Sequence, residues 1–135
     1  MTKIGIVVAD FNKDITSSME AAASEEAQRL GAKIVAKFHV PGVYDAPLVV
    51  ARLIGKKDVE AVVVLGAIIK GYTKHDEVIA SAAANAFTQL SIKSGKPVTF
   101  GVIGPGATWE QAEKRVAEYA RRAVKSAVSL AKELK

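Results

Sequence analysis

The sequence predicts an α/β fold built on a parallel sheet, and three observations carry that reading. Four short apolar runs alternate with four helical patterns along the 135 residues. Such alternation implies right-handed crossovers between parallel strands, with helices on both faces of the sheet. The third run, residues 59–65, is largely β-branched and apolar, as a strand covered on both faces should be.

Residues 3–9 (KIGIVVA) read as the first strand. The helix after it spans 14–30, with Ile15, Met19, Ala22, Ala23 and Leu30 at helical spacing. Ser17-Ser18-Met19-Glu20 supplies a capping box for it, and Gly31 ends it in the C′ position that glycine favours. Residues 33–40 form the second strand, and 41–47 a turn that opens into a helix running to about Ile54 and closed by Gly55. After the strand 59–65 come a loop over 66–74 and a helix over 75–94. The fourth strand covers 97–103, a loop 104–108 and the last helix 109–134. No linker, repeat or low-complexity tract interrupts the pattern, so residues 1–135 are expected to form a single domain. The architecture is a flavodoxin-like three-layer αβα sandwich with a four-stranded parallel sheet, in which ligands collect at the carboxyl ends of the strands.

The helix 75–94 carries Val78, Ile79, Ala80, Ala82, Ala83, Ala84, Ala86, Phe87, Leu90 and Ile92 around most of its circumference. A helix apolar on nearly every side needs cover on nearly every side, and its run of alanines allows another helix to approach closely. Self-association is therefore expected.

Composition removes several function classes. With no cysteine there is no disulfide framework, thiolate zinc site or cysteine nucleophile, and the two histidines, His39 and His75, are far apart in sequence. The N-terminal residues lack the pattern of a signal peptide, and no apolar run approaches the ~20 residues that cross a bilayer. A soluble, cytoplasmic protein without membrane attachment is expected. Nineteen Lys+Arg against fourteen Asp+Glu leave a net charge of +5, concentrated in the last helix. Acidic residues are interspersed there, cations near a helix C-terminus complement its dipole, and no nucleic-acid-binding motif accompanies them. Nucleic acid is therefore not expected as a partner.

Each strand exits into an unusual loop. Asp10-Phe11-Asn12 places an aromatic beside an amide, either a plug over the core with Asn12 or Asp14 capping the helix, or part of a site. Pro41-Gly42-Val43-Tyr44-Asp45-Ala46-Pro47 is a stiff segment holding Tyr44 and Asp45, with Asp45 as N-cap or as ligand group. In GAIIKGYTKHDE, residues 66–77, Thr73 and Asp76 form a capping box, or the helix start offers N–H groups at Tyr72 and Thr73 to an anion. His75 in the first turn is either incidental or a general acid/base, since imidazole takes and gives protons near neutral pH. Gly104-Pro105-Gly106 is a weak nucleotide motif, Thr108 with Gln111 a capping box, and Arg115 a partner for a phosphate or for Glu118. There is no Ser/His/Asp order, Walker loop or convincing pair of carboxylates.

Taken in order, VADFN, VPGVYDAP, LGAIIKGYTKHDEV, KPVTFG and GPGATWEQAEKR resemble the lumazine synthase family over essentially the whole chain. The GPG loop and the basic helix after it resemble archaeal members more than bacterial ones. The resemblance implies condensation of 5-amino-6-ribitylaminouracil with 3,4-dihydroxy-2-butanone 4-phosphate to 6,7-dimethyl-8-ribityllumazine, with no metal or organic cofactor. It also implies a homopentamer with active sites between neighbouring subunits, and in some members an icosahedral capsid. By the same resemblance, Phe11 stacks on the pyrimidine, and Val43, Tyr44 and Asp45 hold the ribityl chain, Asp45 standing where many members have glutamate. Ala67, Ile68 and Ile69 line the pyrimidine with backbone, Tyr72 and Thr73 bind phosphate, and His75 is the general acid/base. Phe100 and Arg115 match residues that an adjacent subunit presents to the ring and to the phosphate.

Two departures bear on assembly. The last helix has Val116-Ala117-Glu118-Tyr119-Ala120-Arg121 in place of the glycine- and lysine-rich segment of bacterial shell formers, and the chain ahead of the first strand is short. Both put a shell in doubt, though not a pentamer. The rivals are an archaeal-type riboflavin synthase, opposed by His75 within KGYTKH, and a non-catalytic flavin-binding module or structural shell subunit.

Overall fold

Apolar residues facing both ways make Lys3–Ala9 a central strand, β1, and the computed structural model, which describes residues 1–71 and 73–135, builds the sheet around it. Next come α1 (Lys13–Arg29), β2 (Lys33–Val40), a 3₁₀ turn over Val43–Asp45 and α2 (Ala46–Ile54). They are followed by β3 (Ala61–Ile69), α3 (His75–Ser94), β4 (Val98–Ala107) and α4 (Trp109–Glu133). The strand order is β2-β1-β3-β4 and every pairing is parallel. Helices α1 and α4 cover one face, over Ile4, Ile6, Val8, Val63, Leu65 and Ile103. Helices α2 and α3 cover the other, over Val7, Val62, Val64 and Val102. This is the expected three-layer sandwich of flavodoxin-like type. Burying a side chain such as Met19, Leu53 or Phe87 in it contributes about 1.5–3 kcal/mol.

Strand ends are where periodicity misleads. β3 begins at Ala61 and runs on to Ile69, and β4 runs from Val98 to Ala107, so much of the expected loops 66–74 and 104–108 is strand. The reason is pairing: Gly66 opposes Val102, Ala67 opposes Ile103, and Ile69 opposes Ala107 after a register shift. Gly104, at φ +95°, makes that shift possible, because a Cβ there would lie 2.0 Å from the Ile68 carbonyl oxygen.

Helix ends depart similarly. The expected capping box at Ser17–Glu20 lies inside α1, where the Ser18 hydroxyl donates to the Asp14 carbonyl at 3.2 Å. Gly31 does end the helix, at φ +71°. The Thr108–Gln111 capping box forms, with bonds of 3.0 and 3.2 Å in the two directions. Helix α4 stops at Glu133. It sits close on β4, because a Cβ on Gly101 would lie 2.9 Å from that of Ala123.

Two polar clusters tie elements together. Buried Glu26 of α1 accepts from Arg29 and from Arg121 of α4. The Arg29 hydrogen bond, ahead of the opposing effect of burial, holds its carboxyl below the ordinary value. His39 of β2 lies 2.6 Å from Asp10 and 3.0 Å from Glu20 of α1. The Asp10 hydrogen bond, with Glu20 adding its charge, raises the imidazole above the ordinary histidine value against a smaller opposing desolvation. On α3, Ala80, Ala83 and Phe87 face the core, whereas Val78 and Ile92 are 62% and 73% exposed. Among the described residues no helix is long and apolar enough to cross a membrane.

Candidate active site

Past the strand ends, backbone hydrogen bonds carry the β1–β2 ladder two residues further. The N–H groups of Asp10 and Phe11 donate to the carbonyls of Val40 and Pro41, at 2.7 and 2.9 Å. The loop after β1 is thereby held against the proline-rich turn after β2, and Phe11, 73% exposed, stands over the gap. Beneath it opens a cavity of about 510 Å³ at the carboxyl ends of β1, β2 and β3.

Four segments line this cavity. Phe11 and Asn12 come from the β1 exit, and Val43, Tyr44 and Asp45 from the 3₁₀ turn. Ala67, Ile68 and Ile69 form the end of β3, while Thr73 and His75 stand at the start of α3. Gly66 lets the turn settle on β3, since a Cβ there would lie 2.6 Å from Val43 Cγ2. The result is a floor of strand backbone and aliphatic side chains beneath an exposed aromatic ring. A phenol, a carboxylate, a hydroxyl and an imidazole stand around it. Such an arrangement suits a flat ring with a polar tail, and the imidazole can move protons at it.

Local bonding differs from expectation at each loop. Asp45 does not cap α2 with its side chain; Oδ2 instead accepts from the Gly42 N–H at 3.0 Å, which closes the turn on itself. Thr73 and Asp76 do not form a capping box, because the N-cap position is Lys74. Thr73 Oγ1 accepts from the His75 N–H at 3.2 Å, a short turn that fixes how the helix begins. Tyr72, expected to join Thr73 in an anion site, lies outside the described residues.

Two expected site residues are elsewhere. Phe100 lies on β4, the sheet edge, with its ring 5.8 Å from that of Phe87 and tilted by 49°. Arg115 lies on α4, 3.6 Å from Glu118, and lines a separate cavity of about 320 Å³ beside Gly104, Pro105 and Gly106. Tyr119 lines this cavity and also the neighbouring one that holds Phe100.

The family resemblance assigns no role to Asn12 or His39. Asn12 adopts φ +65°, and its side-chain amide donates to the Ala67 carbonyl at 2.9 Å rather than capping α1. No local signal marks that bond, since its partner is 55 residues away. His39 reads as isolated in sequence, yet it bridges the loop before Phe11 to α1. Among the described residues no three His, Asp or Glu side chains gather as metal ligands would.

Comparison with known proteins returns one family. The family model described as 6,7-dimethyl-8-ribityllumazine synthase matches residues 1–135. A protein of that name from Pyrobaculum arsenaticum is 51% identical over 135 residues, covering 100% of this chain and 90% of the relative. One from Methanococcus aeolicus is 49% identical over 134 residues, covering 99% and 98%. One from Methanocaldococcus jannaschii is 48% identical over 135 residues, covering 100% and 95%. With the sandwich fold, the strand-end cavity and a match from first residue to last in agreement, the chain belongs to the 6,7-dimethyl-8-ribityllumazine synthase family.

Proposed function

We propose that this chain is a transferase of riboflavin biosynthesis, condensing 5-amino-6-ribitylaminouracil with 3,4-dihydroxy-2-butanone 4-phosphate to 6,7-dimethyl-8-ribityllumazine. The observation that carries the reading is the cavity itself, which collects Phe11, Val43–Asp45, Ala67–Ile69, Thr73 and His75 from four separate segments. In this reading Phe11 stacks on the pyrimidine and the β3 backbone lines it. Asp45 keeps one oxygen on Gly42 and turns its remaining acceptor capacity to the ribityl hydroxyls. Thr73, with Tyr72, receives the phosphate near the start of α3.

The chemistry needs little more. The aromatic amine adds to the ketone, and the adduct loses water to an imine. Phosphate is then eliminated to leave a new carbonyl, and the ribityl-bearing amine closes the ring on that carbonyl with loss of a second water. Each step moves a proton, which His75 accepts or returns. Holding two small substrates together removes much of the remaining barrier, because a bimolecular encounter becomes an internal one.

Phe100 and Arg115 complete the site from a second copy. Neither lines the large cavity within one chain, and both stand at the β4–α4 side. Arg115 there stabilises the departing phosphate charge. The reading therefore includes a cytoplasmic, single-domain subunit in a homopentamer or an assembly of pentamers, with the exposed side of α3 covered.

Mixing purified protein with both substrates and following lumazine fluorescence tests the reaction. Product above the uncatalysed background is expected. Background rate alone from folded protein would overturn it, and tight flavin binding without product would mark a binding module instead.

A further inference from the structure

We infer that Asn12 is a positioning residue of this cavity, holding the Phe11 turn to the β3 backbone on which the pyrimidine is to lie; the inference rests on the reaction proposed above. The β1–β3 ladder ends at Val8 opposite Leu65, so Ala67 lies beyond the last strand pair. Its carbonyl is taken instead by the Asn12 side-chain amide at 2.9 Å. Ala67 is 3% exposed, so without that donor its carbonyl would have to find another partner inside the protein. Asn12 thus serves as one more rung of the ladder, supplied by a side chain after the strand has turned away.

Two demands meet at this position. The backbone sits at φ +65° and ψ +50°, the left-handed region, and Asn12 is the one described residue other than glycine with positive φ. Asparagine tolerates that region better than most side chains and also carries the required donor. Glycine meets only the first demand. Aspartate is of similar size, but it would set a carboxylate oxygen against a carbonyl oxygen. Phe11 is the next residue back, anchored to Pro41 by its own N–H, so the amide bond fixes the second side of the turn that aims its ring.

The test uses Asn12→Gly, which keeps the backbone conformation, and Asn12→Asp, which keeps the size. Losing one hydrogen bond of this kind predicts about a tenfold rise in KM for 5-amino-6-ribitylaminouracil in Asn12→Gly. KM for the butanone phosphate should stay within about twofold, and Asn12→Asp should be impaired at least as much as Asn12→Gly. Binding of the product lumazine, read from its fluorescence, should weaken by a similar factor without any turnover. Unchanged lumazine binding and unchanged KM in Asn12→Gly would overturn the inference. An equal loss for both substrates would overturn it as well, because general loosening of the site gives that pattern. If Asn12→Asp does not fold, Asn12→Gly decides alone. A wild-type protein that binds lumazine but turns nothing over would sink the proposed reaction, while the binding comparison still decides the role of Asn12.

Discussion

The carboxyl ends of β1–β3 and the β4–α4 side of the molecule use their conspicuous residues in different ways. At the strand ends, Phe11, Asp45, Thr73 and His75 arrive from distant parts of the chain and line one cavity. On the β4–α4 side, Phe100 rests near Phe87 and Arg115 near Glu118, each with a partner from its own chain. The Arg115–Glu118 pair is exposed on both sides, and such pairs contribute about 0–1 kcal/mol. It would yield readily to a better anion. The first region gathers its residues into one cavity within the chain, and on the proposed reading the second supplies Phe100 and Arg115 to the cavity of a neighbouring copy. On that reading, residues that do not meet within one chain can still serve one reaction.

The most forceful way to break this contrast is at His75. On the proposed reading, His75→Ala lowers kcat about a hundredfold, roughly 2.7 kcal/mol, and leaves measurable turnover, since proximity remains. Complete loss in a correctly folded and assembled variant would mean that the imidazole does more than move protons. Arg115→Ala should raise KM for the butanone phosphate by roughly ten- to a hundredfold, the worth of a charged hydrogen bond. Co-assembled Phe11→Ala and Arg115→Ala subunits should then show more activity at low substrate than either homogeneous variant, because some sites draw one intact half from each. Failure of mixed assemblies to recover would place both residues in one subunit's site.

Two glycines sharpen the comparison at smaller scale. A Cβ at Gly101 would meet Ala123 Cβ, Leu65 Cδ2 and the Val64 carbonyl oxygen, and the first and last of these cannot yield without moving α4 or the sheet. Gly101→Ala should lower the unfolding free energy by about 1–3 kcal/mol in a urea titration. At Gly66 the nearest obstacle is Val43 Cγ2, on the turn that lines the cavity. Gly66→Ala should therefore weaken substrate affinity more, relative to its cost in stability, than Gly101→Ala does.

The smallest effect concerns His39. Its imidazole is raised by Asp10 first, with Glu20 adding, and Lys37 also reaches Glu20 at 3.2 Å. A raised value in the folded state means the ion pairs contribute fully below the ordinary histidine value of 6.5, and are lost as pH rises through the raised one. With the side chain 43% exposed, solvent screens the pairs and the effect is under about 1 kcal/mol. His39→Gln should flatten the fall in melting temperature just above pH 6.5, and an unchanged profile would remove the cluster from the account.

Most of the fold was legible in the residues themselves. Apolar runs and helical spacing located β1, β2 and α3 at their observed limits, because turn residues bound the residue pattern of each element. Glycine at position 31 and the Thr108–Gln111 pair marked helix ends for equally local reasons. Much of the lining of the candidate site was legible through the loops that resemble the family. Phe11, Val43–Asp45, Ala67–Ile69, Thr73 and His75, read from distant segments, line one cavity.

What the sequence determined by itself was whatever depends on neighbours a few residues apart: element type, most boundaries, and which loops follow which strands. Tertiary structure decided the rest. Pairing with β4 extended β3 through Gly66–Ile69, which local chemistry reads as loop. Contact with β3 drew the Asn12 amide away from capping and onto Ala67. The 3₁₀ turn gave Asp45 to Gly42, and the fold brought His39 to Asp10 and Glu20. A polar group takes the partner that removes it from unsatisfied burial, and the choice of partner exists only once distant segments have met.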